Sequence, residues 1–339
     1  MSEIKIEIKD LFKIFGSNPV DMVPLVKEGI SKEELLQKHQ HVLGLKNIDI
    51  EIKESDIQVI MGLSGSGKST LIRHLIRLIE PTSGEIIVNN ANIMEMTKQE
   101  LLNFRRSSVS MVFQNFGLFP HRTVTENAAY GLTIQGIEAT EATTRSQKWV
   151  DRVGLTGFEN YYPAQLSGGM QQRVGLARAL ATNAQILLMD EPFSALDPLI
   201  REEMQDVLLG LQEELRKTIV FITHDLDEAL KLGDHIAILR DGAVIQKGPP
   251  QDILLNPVDS YITNFTKNIN RGRVIRVGYI MEVGPPGSSL NIDQNVVIDD
   301  ALQVLSNAGA QSATVTNNSK PVGSIDLGAI VKAMARPGD

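Results

Sequence analysis

The stretch Gly62-Leu63-Ser64-Gly65-Ser66-Gly67-Lys68-Ser69 fits G-x-x-x-x-G-K-[ST] at every fixed position. Glycines at that spacing let the backbone curl so that its N–H groups point inward at phosphate oxygens, and a helix start behind the loop adds positive partial charge. Lys68 is then placed to reach the β and γ phosphates, and Ser69 to hold a magnesium ion. The apolar run 57–61 before the loop reads as a buried strand. Residues 70–79 after it read as a helix with Leu71, Leu75 and Leu78 on one side. A chance Gly/Ser-rich turn would not come with this strand–loop–helix setting.

Further chemistry sits at the ends of two other apolar runs. Residues 185–189 read as a buried strand delivering Asp190 and Glu191, and 218–223 as another delivering His224. In an open parallel sheet, ligands bind at that carboxyl edge. One carboxylate there can hold magnesium and the next can take a proton from water, while a histidine can donate to a γ-phosphate. Adjacent acids ending a buried strand are costly without a compensating cation, although they could also cap the next helix. Ser167-Gly168-Gly169 opens a helix and offers a second anion-binding end, or an ordinary cap; capping alone also accounts for Asp197 before Pro198. Gln114 ends a strand at 109–114, and alone says little.

The elements that must position these groups follow the same order. Residues 4–8 and 47–52 alternate as strands, separated by an insertion at 17–44 in which Ser31 and Glu34 form a capping box. That insertion either packs on the sheet as a surface excursion or binds a partner. Phe15, just before it, is either core or a ring exposed for stacking. A strand at 85–89, a helix at 98–104 and a mostly helical stretch at 125–162, with Thr125 as its cap, precede the second sheet-forming half. Residues 235–239 and 243–247 pair around Asp241-Gly242, a turn dipeptide. From about Asn268 the pattern changes: 274–283 strand-like, 296–305 helical, 313–316 and 321–325 extended, then a helix over 327–334.

Length suggests two domains in 339 residues, and a 42% hydrophobic content supports a large core. The net charge of -8 argues against nucleic acid as the main partner. No run approaches the ~18 apolar residues of a membrane span, and Met1-Ser2-Glu3-Ile4-Lys5 lacks a signal peptide's apolar core. The absence of cysteine excludes disulfides and thiolate chemistry and fits a cytoplasmic location.

Leu166-Ser167-Gly168-Gly169-Met170-Gln171-Gln172-Arg173, taken with the phosphate loop, Gln114, Asp190-Glu191, 194–197 and His224, resembles the ATPase subunit of an ABC transporter. Met170 and the insertion after Phe15 point to the glycine betaine/L-proline importer branch, and the tail is similar to a CBS module. The resemblance implies a P-loop NTPase α/β fold: a RecA-like core with an antiparallel β subdomain and an inserted helical subdomain at about 103–170, together spanning 1–267, then an α+β CBS-like unit at 268–339. It makes Phe15 the adenine-stacking ring. Gly62, Ser64, Gly65, Ser66, Gly67, Lys68, Ser69 and Thr70 become the ATP cradle, and Gln114 a magnesium and water sensor at the permease contact. Asp190 becomes the metal-side carboxylate and Glu191 the general base. Asp197 joins the two sites of a dimer, His224 is the γ-phosphate switch, and Ser167, Gly168 and Gly169 form the signature loop that covers ATP on a second copy.

The implied assembly is a homodimer on the cytoplasmic face of the membrane, peripheral to permease subunits and served by a substrate-binding protein, with ATP and Mg2+ as its ligands and no nucleic acid. Import of another small solute, such as an amino acid, and a non-transport ABC ATPase are the competing readings. The latter lack support because neither a long coiled coil nor a second cassette is present. Only one CBS-like repeat is evident, and the nucleotide-contacting pattern is blurred at Gly323-Ser324-Ile325-Asp326, so the tail reads as a sensor or as a dimerisation element.

Overall fold

The computed structural model describes residues 3–114, 116–284 and 288–335. In chain order the first ten strands are β1 (Ile4–Phe15), β2 (Val42–Lys53), β3 (Ile57–Met61), β4 (Ser83–Val88), β5 (Ala91–Asn92), β6 (Val109–Val112), β7 (Ile186–Asp190), β8 (Thr218–Thr223), β9 (His235–Arg240) and β10 (Ala243–Gly248). Alternating burial in β1 and β2 suits a sheet with one wet face, and these strands form an antiparallel sheet in the order β2-β1-β4-β5. By contrast, β3, β7 and β8 are buried at every position, as strands covered on both faces must be. They lie in a second sheet of order β10-β9-β3-β8-β7-β6, where β3 pairs in parallel with β8 and β9, and β7 with β6 and β8.

The helices of this part are α1 (Val23–Lys27), α2 (Lys32–His39), α3 (Lys68–Leu75), α4 (Lys98–Ser107), α5 (Val124–Ile134), α6 (Ala139–Arg152), α7 (Gly168–Ala181), α8 (Pro198–Leu215) and α9 (Leu226–Leu232). The inserted helical region starts later than residue 103, because Val109–Val112 is a strand of the parallel sheet. Its first helix is capped by Thr123, whose hydroxyl accepts from Glu126 N while the Glu126 carboxylate accepts from Thr123 N; Thr125 lies inside the helix. The helix after the phosphate loop is also shorter than expected. Arg77 turns left-handed at φ +49°, Arg105 donates to the freed carbonyls of Ile76 and Arg77, and Leu78 is exposed.

Chain contacts divide the molecule into residues 1–245 and 246–339. The second unit holds α10 (Pro250–Leu255), α11 (Ser260–Thr266), β11 (Glu282–Val283), β12 (Asn291–Asp293), α12 (Ile298–Ala308), β13 (Ser312–Asn317), β14 (Lys320–Asp326) and α13 (Leu327–Met334). Its sheet runs β11-β14-β13-β12, with β12 parallel to β13. The stretch 274–283 is not the strand its apolar content suggested. Ile275 and Val277 are buried, but the backbone turns through 3-10 segments; Arg276 makes only an isolated bridge to Val297, and Glu282 and Val283 alone join the sheet. The turn at Pro285-Pro286-Gly287 lies outside the described residues.

Leu188 sits in mid-β7 and is fully buried. Leu188→Ala is expected to cost about 2–5 kcal/mol. Leu102→Ala, on the exposed side of α4, is expected to cost about 1 kcal/mol or less. Urea unfolding of both variants checks the difference.

Candidate nucleotide site

Parallel pairing brings three strand ends to one rim. Met61 is level with Thr223, and Asp190 with Ile222, so the phosphate loop, Asp190-Glu191 and His224 emerge side by side. The loop takes its shape from glycine: Gly65 and Gly67 have φ of +78° and +104°. A Cβ on Gly62 would lie 2.2 Å from the Leu239 carbonyl oxygen, and one on Gly67 would lie 2.7 Å from that of Gly44. Lys68, 5% exposed, folds back to donate to the carbonyls of Gly62 (2.7 Å) and Leu63 (3.3 Å). Among the described residues, buried Ser66 Oγ has no hydrogen-bond partner. A glycine-shaped loop with a buried ammonium and an unsatisfied hydroxyl suits a polyphosphate guest.

Glu191 is the meeting point. Its Oε2 accepts from Gln114 Nε2 at 3.3 Å and lies 3.1 Å from His224 Nδ1, while Lys68 Nζ is 3.5 Å from Oε1. Because the carboxylate can only accept, Nδ1 is the protonated nitrogen of the His224 ring in this contact. Glu191 is held at φ +45°, in the left-handed region that costs a non-glycine residue roughly 1–3 kcal/mol. Its backbone N–H donates to Ile222 O, and its carbonyl accepts from Ser194 Oγ and N. Beside it Asp190, 5% exposed, accepts from Ser69 Oγ at 3.0 Å. Burial pushes the Asp190 carboxyl above its ordinary range, opposed first by the Ser69 hydrogen bond.

The loop from Leu63 to Ser69, Glu191 and His224 border a cleft of about 670 Å³, whereas Gly62 and Asp190 lie behind its lining. Phe15, Thr70 and Gln114 also line it, and the Phe15 ring is 41% exposed rather than core, with Lys13 Nζ 4.9 Å from its centroid. Ser167, Gly168, Gly169 and Asp197 do not border the cleft. Ser167 caps α7 by accepting from Met170 N, and Asp197 caps α8 by accepting from Ile200 N. No cluster of three His, Cys, Asp or Glu side chains could hold a metal among the described residues. A divalent ion here would rest on Ser69, Asp190 and Gln114 together with ligand oxygens, a hard oxygen donor set suited to magnesium.

A family profile described as ABC transporter matches residues 45–194. The glycine betaine/carnitine transport ATP-binding protein GbuA of Listeria monocytogenes serotype 1/2a is 53% identical over 281 residues, covering 83% of this chain and 70% of that one. The chain belongs to the ATP-binding subunits of ABC transporters. A trimethylamine N-oxide transport system ATP-binding protein, TmoW of Pelagibacter ubique, is 42% identical over 333 residues, covering 98% of this chain and 97% of that protein. A bacterial ABC transporter cassette solved as a dimer superposes with a TM-score of 0.62 at 34% identity, over 72% of this chain and 98% of that one.

Sequence reasoning missed what holds the ABC subunit's His224 in place. Thr223 Oγ1 donates to buried Glu228 at 2.6 Å and accepts from Asp225 N at 2.9 Å. Arg201 Nη1 donates to Asp225 at 3.2 Å, and Gln205 donates to Glu228 at 3.3 Å. Burial also raises the Glu228 carboxyl. Asp225 caps α9 by accepting from Asp227 N and Glu228 N, a spacing that a sequence can suggest, but nothing in it marks Glu228 as an inward-facing acid. Among the described residues no helix is long and apolar enough to cross a membrane.

Burial makes ionised Asp190 costly at every pH above its raised pKa, and the cost disappears as pH falls through that value toward the unfolded one near ~3.9. Asp190→Asn is therefore expected to raise the melting temperature of the nucleotide-free chain at pH 7, with a gain that shrinks as pH is lowered toward about 4. Thermal unfolding across that pH range tests it.

Proposed function

We propose that this chain is the ATP-hydrolysing subunit that powers import of glycine betaine, proline betaine or a related compatible solute through a membrane permease. The observation that carries the reading is the convergence of Gln114, His224 and Lys68 on Glu191, next to the Ser69–Asp190 pair, at the mouth of a glycine-shaped loop. The solute class rests on relatives that cover most of the chain and are named for glycine betaine, carnitine and trimethylamine N-oxide transport.

In this reading the loop N–H groups and Lys68 hold the phosphates, and Phe15 stacks on the base. Ser69, Asp190 and Gln114 would hold magnesium, which when bound would supply positive charge beside the phosphate oxygens. Glu191 takes the proton of the attacking water, while Gln114 and His224 fix the orientation of its carboxylate. The signature residues Ser167, Gly168 and Gly169 and the Asp197 turn complete the site on a second copy, consistent with their position outside the chain's own cleft and with the dimeric form of the solved cassette. Residues 1–267, α10 and α11 of the second compact unit included, would form the nucleotide-binding domain and 268–339 a CBS-like regulatory or dimerisation unit. The assembly would sit on the cytoplasmic side of the permease.

Glu191→Gln is expected to lower phosphate release by about 10²–10⁴-fold while retaining ATP and accumulating as a dimer. Steady-state ATPase assays and size-exclusion chromatography with Mg-ATP are the measurements; near-normal turnover would remove Glu191 from its role.

A further inference from the structure

The insertion between β1 and β2 is folded, and it reaches the cleft. Val26 of α1 and Leu35 of α2 are buried against Phe12, Ile14 and Leu43, a small core separate from that beneath the parallel sheet. Ser31 caps α2 by accepting from Glu34 N. Both ring nitrogens of buried His41 face backbone carbonyls, Nε2 that of Ser17 and Nδ1 that of His39, each at 2.6 Å, which ties the start of the insertion to its end. Packing and pinning of this kind set the position of the first turn of α2.

That first turn carries Lys32. Its side chain lines the same cleft as Phe15 and the phosphate loop, and Nζ donates to the Gly65 carbonyl at 3.3 Å. A lysine ammonium has three N–H donors. Among the described residues, no carboxylate forms an ion pair with this one, whereas Lys27 and Lys38 on the same insertion are paired with Asp10 and Glu34. Gly65 has open space where a Cβ would stand, so nothing of its own fills the volume beside this contact. The insertion therefore delivers an uncompensated cation to the rim of a loop shaped for phosphate.

We propose that Lys32 is a phosphate-contacting residue of the nucleotide site, a second cation that acts with Lys68 and makes affinity depend on the number of phosphates. Its charge reaches a nucleoside polyphosphate from the insertion side, while Lys68 acts from within the loop. This inference rests on the ATPase reading above.

The test uses the full chain with Mg2+ and equilibrium dialysis of AMP-PNP, ADP and adenosine. Lys32→Ala is expected to weaken AMP-PNP about three- to tenfold, between the effect of an exposed ion pair and that of a charge-assisted hydrogen bond. Lys32→Glu should weaken it further, Lys32→Arg should keep most of the affinity, and the loss should shrink from AMP-PNP to ADP and vanish for adenosine. Unchanged AMP-PNP binding in both Lys32→Ala and Lys32→Glu overturns the proposal, as does an equal loss for adenosine. So does a defect confined to ATP-dependent dimerisation, which would assign Lys32 to the partner copy. A wild-type chain that does not retain AMP-PNP, or a Lys68→Ala variant that binds it normally, would instead sink the ATPase reading.

Discussion

Charge crowded at one sheet rim is the constraint on which the rest of the molecule depends. Lys68 and Asp190 are each only 5% exposed, and Glu191 lies between the Lys68 ammonium and the His224 ring. Desolvating an ion is expensive, and protein partners return that cost only when geometry and hydrogen bonding are good. Here the compensation is incomplete: burial raises the Asp190 carboxyl, and Lys68 satisfies itself on carbonyls of its own loop. A polyanion with a divalent cation supplies what the rim lacks.

The sheet architecture exists to hold that rim together. Parallel pairing places the carboxyl ends of β3, β6, β7, β8 and β9 on one side, so chemistry from widely separated parts of the sequence converges without long loops. β3 contributes the loop, β7 the acidic pair and β8 the histidine, and continuous burial leaves these strands little freedom to shift register. Beneath His224, the Thr223–Glu228–Arg201–Asp225 network fixes the start of α9.

Much of this was legible before any coordinates. The apolar runs ending in Asp190 and His224 are short and bounded, and the loop glycines sit where only positive φ serves, so local chemistry and global fold agree. What escaped was decided by tertiary partners. The helix after Lys68 ends at Leu75, and the chain leaves it through a left-handed turn at Arg77 whose carbonyl, with that of Ile76, accepts from Arg105, distant in sequence. Residues 274–283 are apolar enough for a strand, yet Val277 and Gly278 donate to the carbonyls of Val296 and Gln294 across a turn instead of joining a ladder. Whether Phe15 was core or exposed, and whether Lys32 faced the cleft, depended on how the insertion folds back, which no spacing encodes.

The phosphate loop is also a joint. Gly242 N–H donates to the Ser66 carbonyl, and the Gly242 carbonyl accepts from Lys46 N–H. Main-chain bonds thus link the loop to the β9–β10 turn and onward to β2. Gly67, Gly242 and Gly44 meet so closely that a single added methyl would strike backbone. The antiparallel layer is accordingly geared to the loop, so a tilt of that layer about the β9–β10 turn would carry the backbone at Ser66 with it.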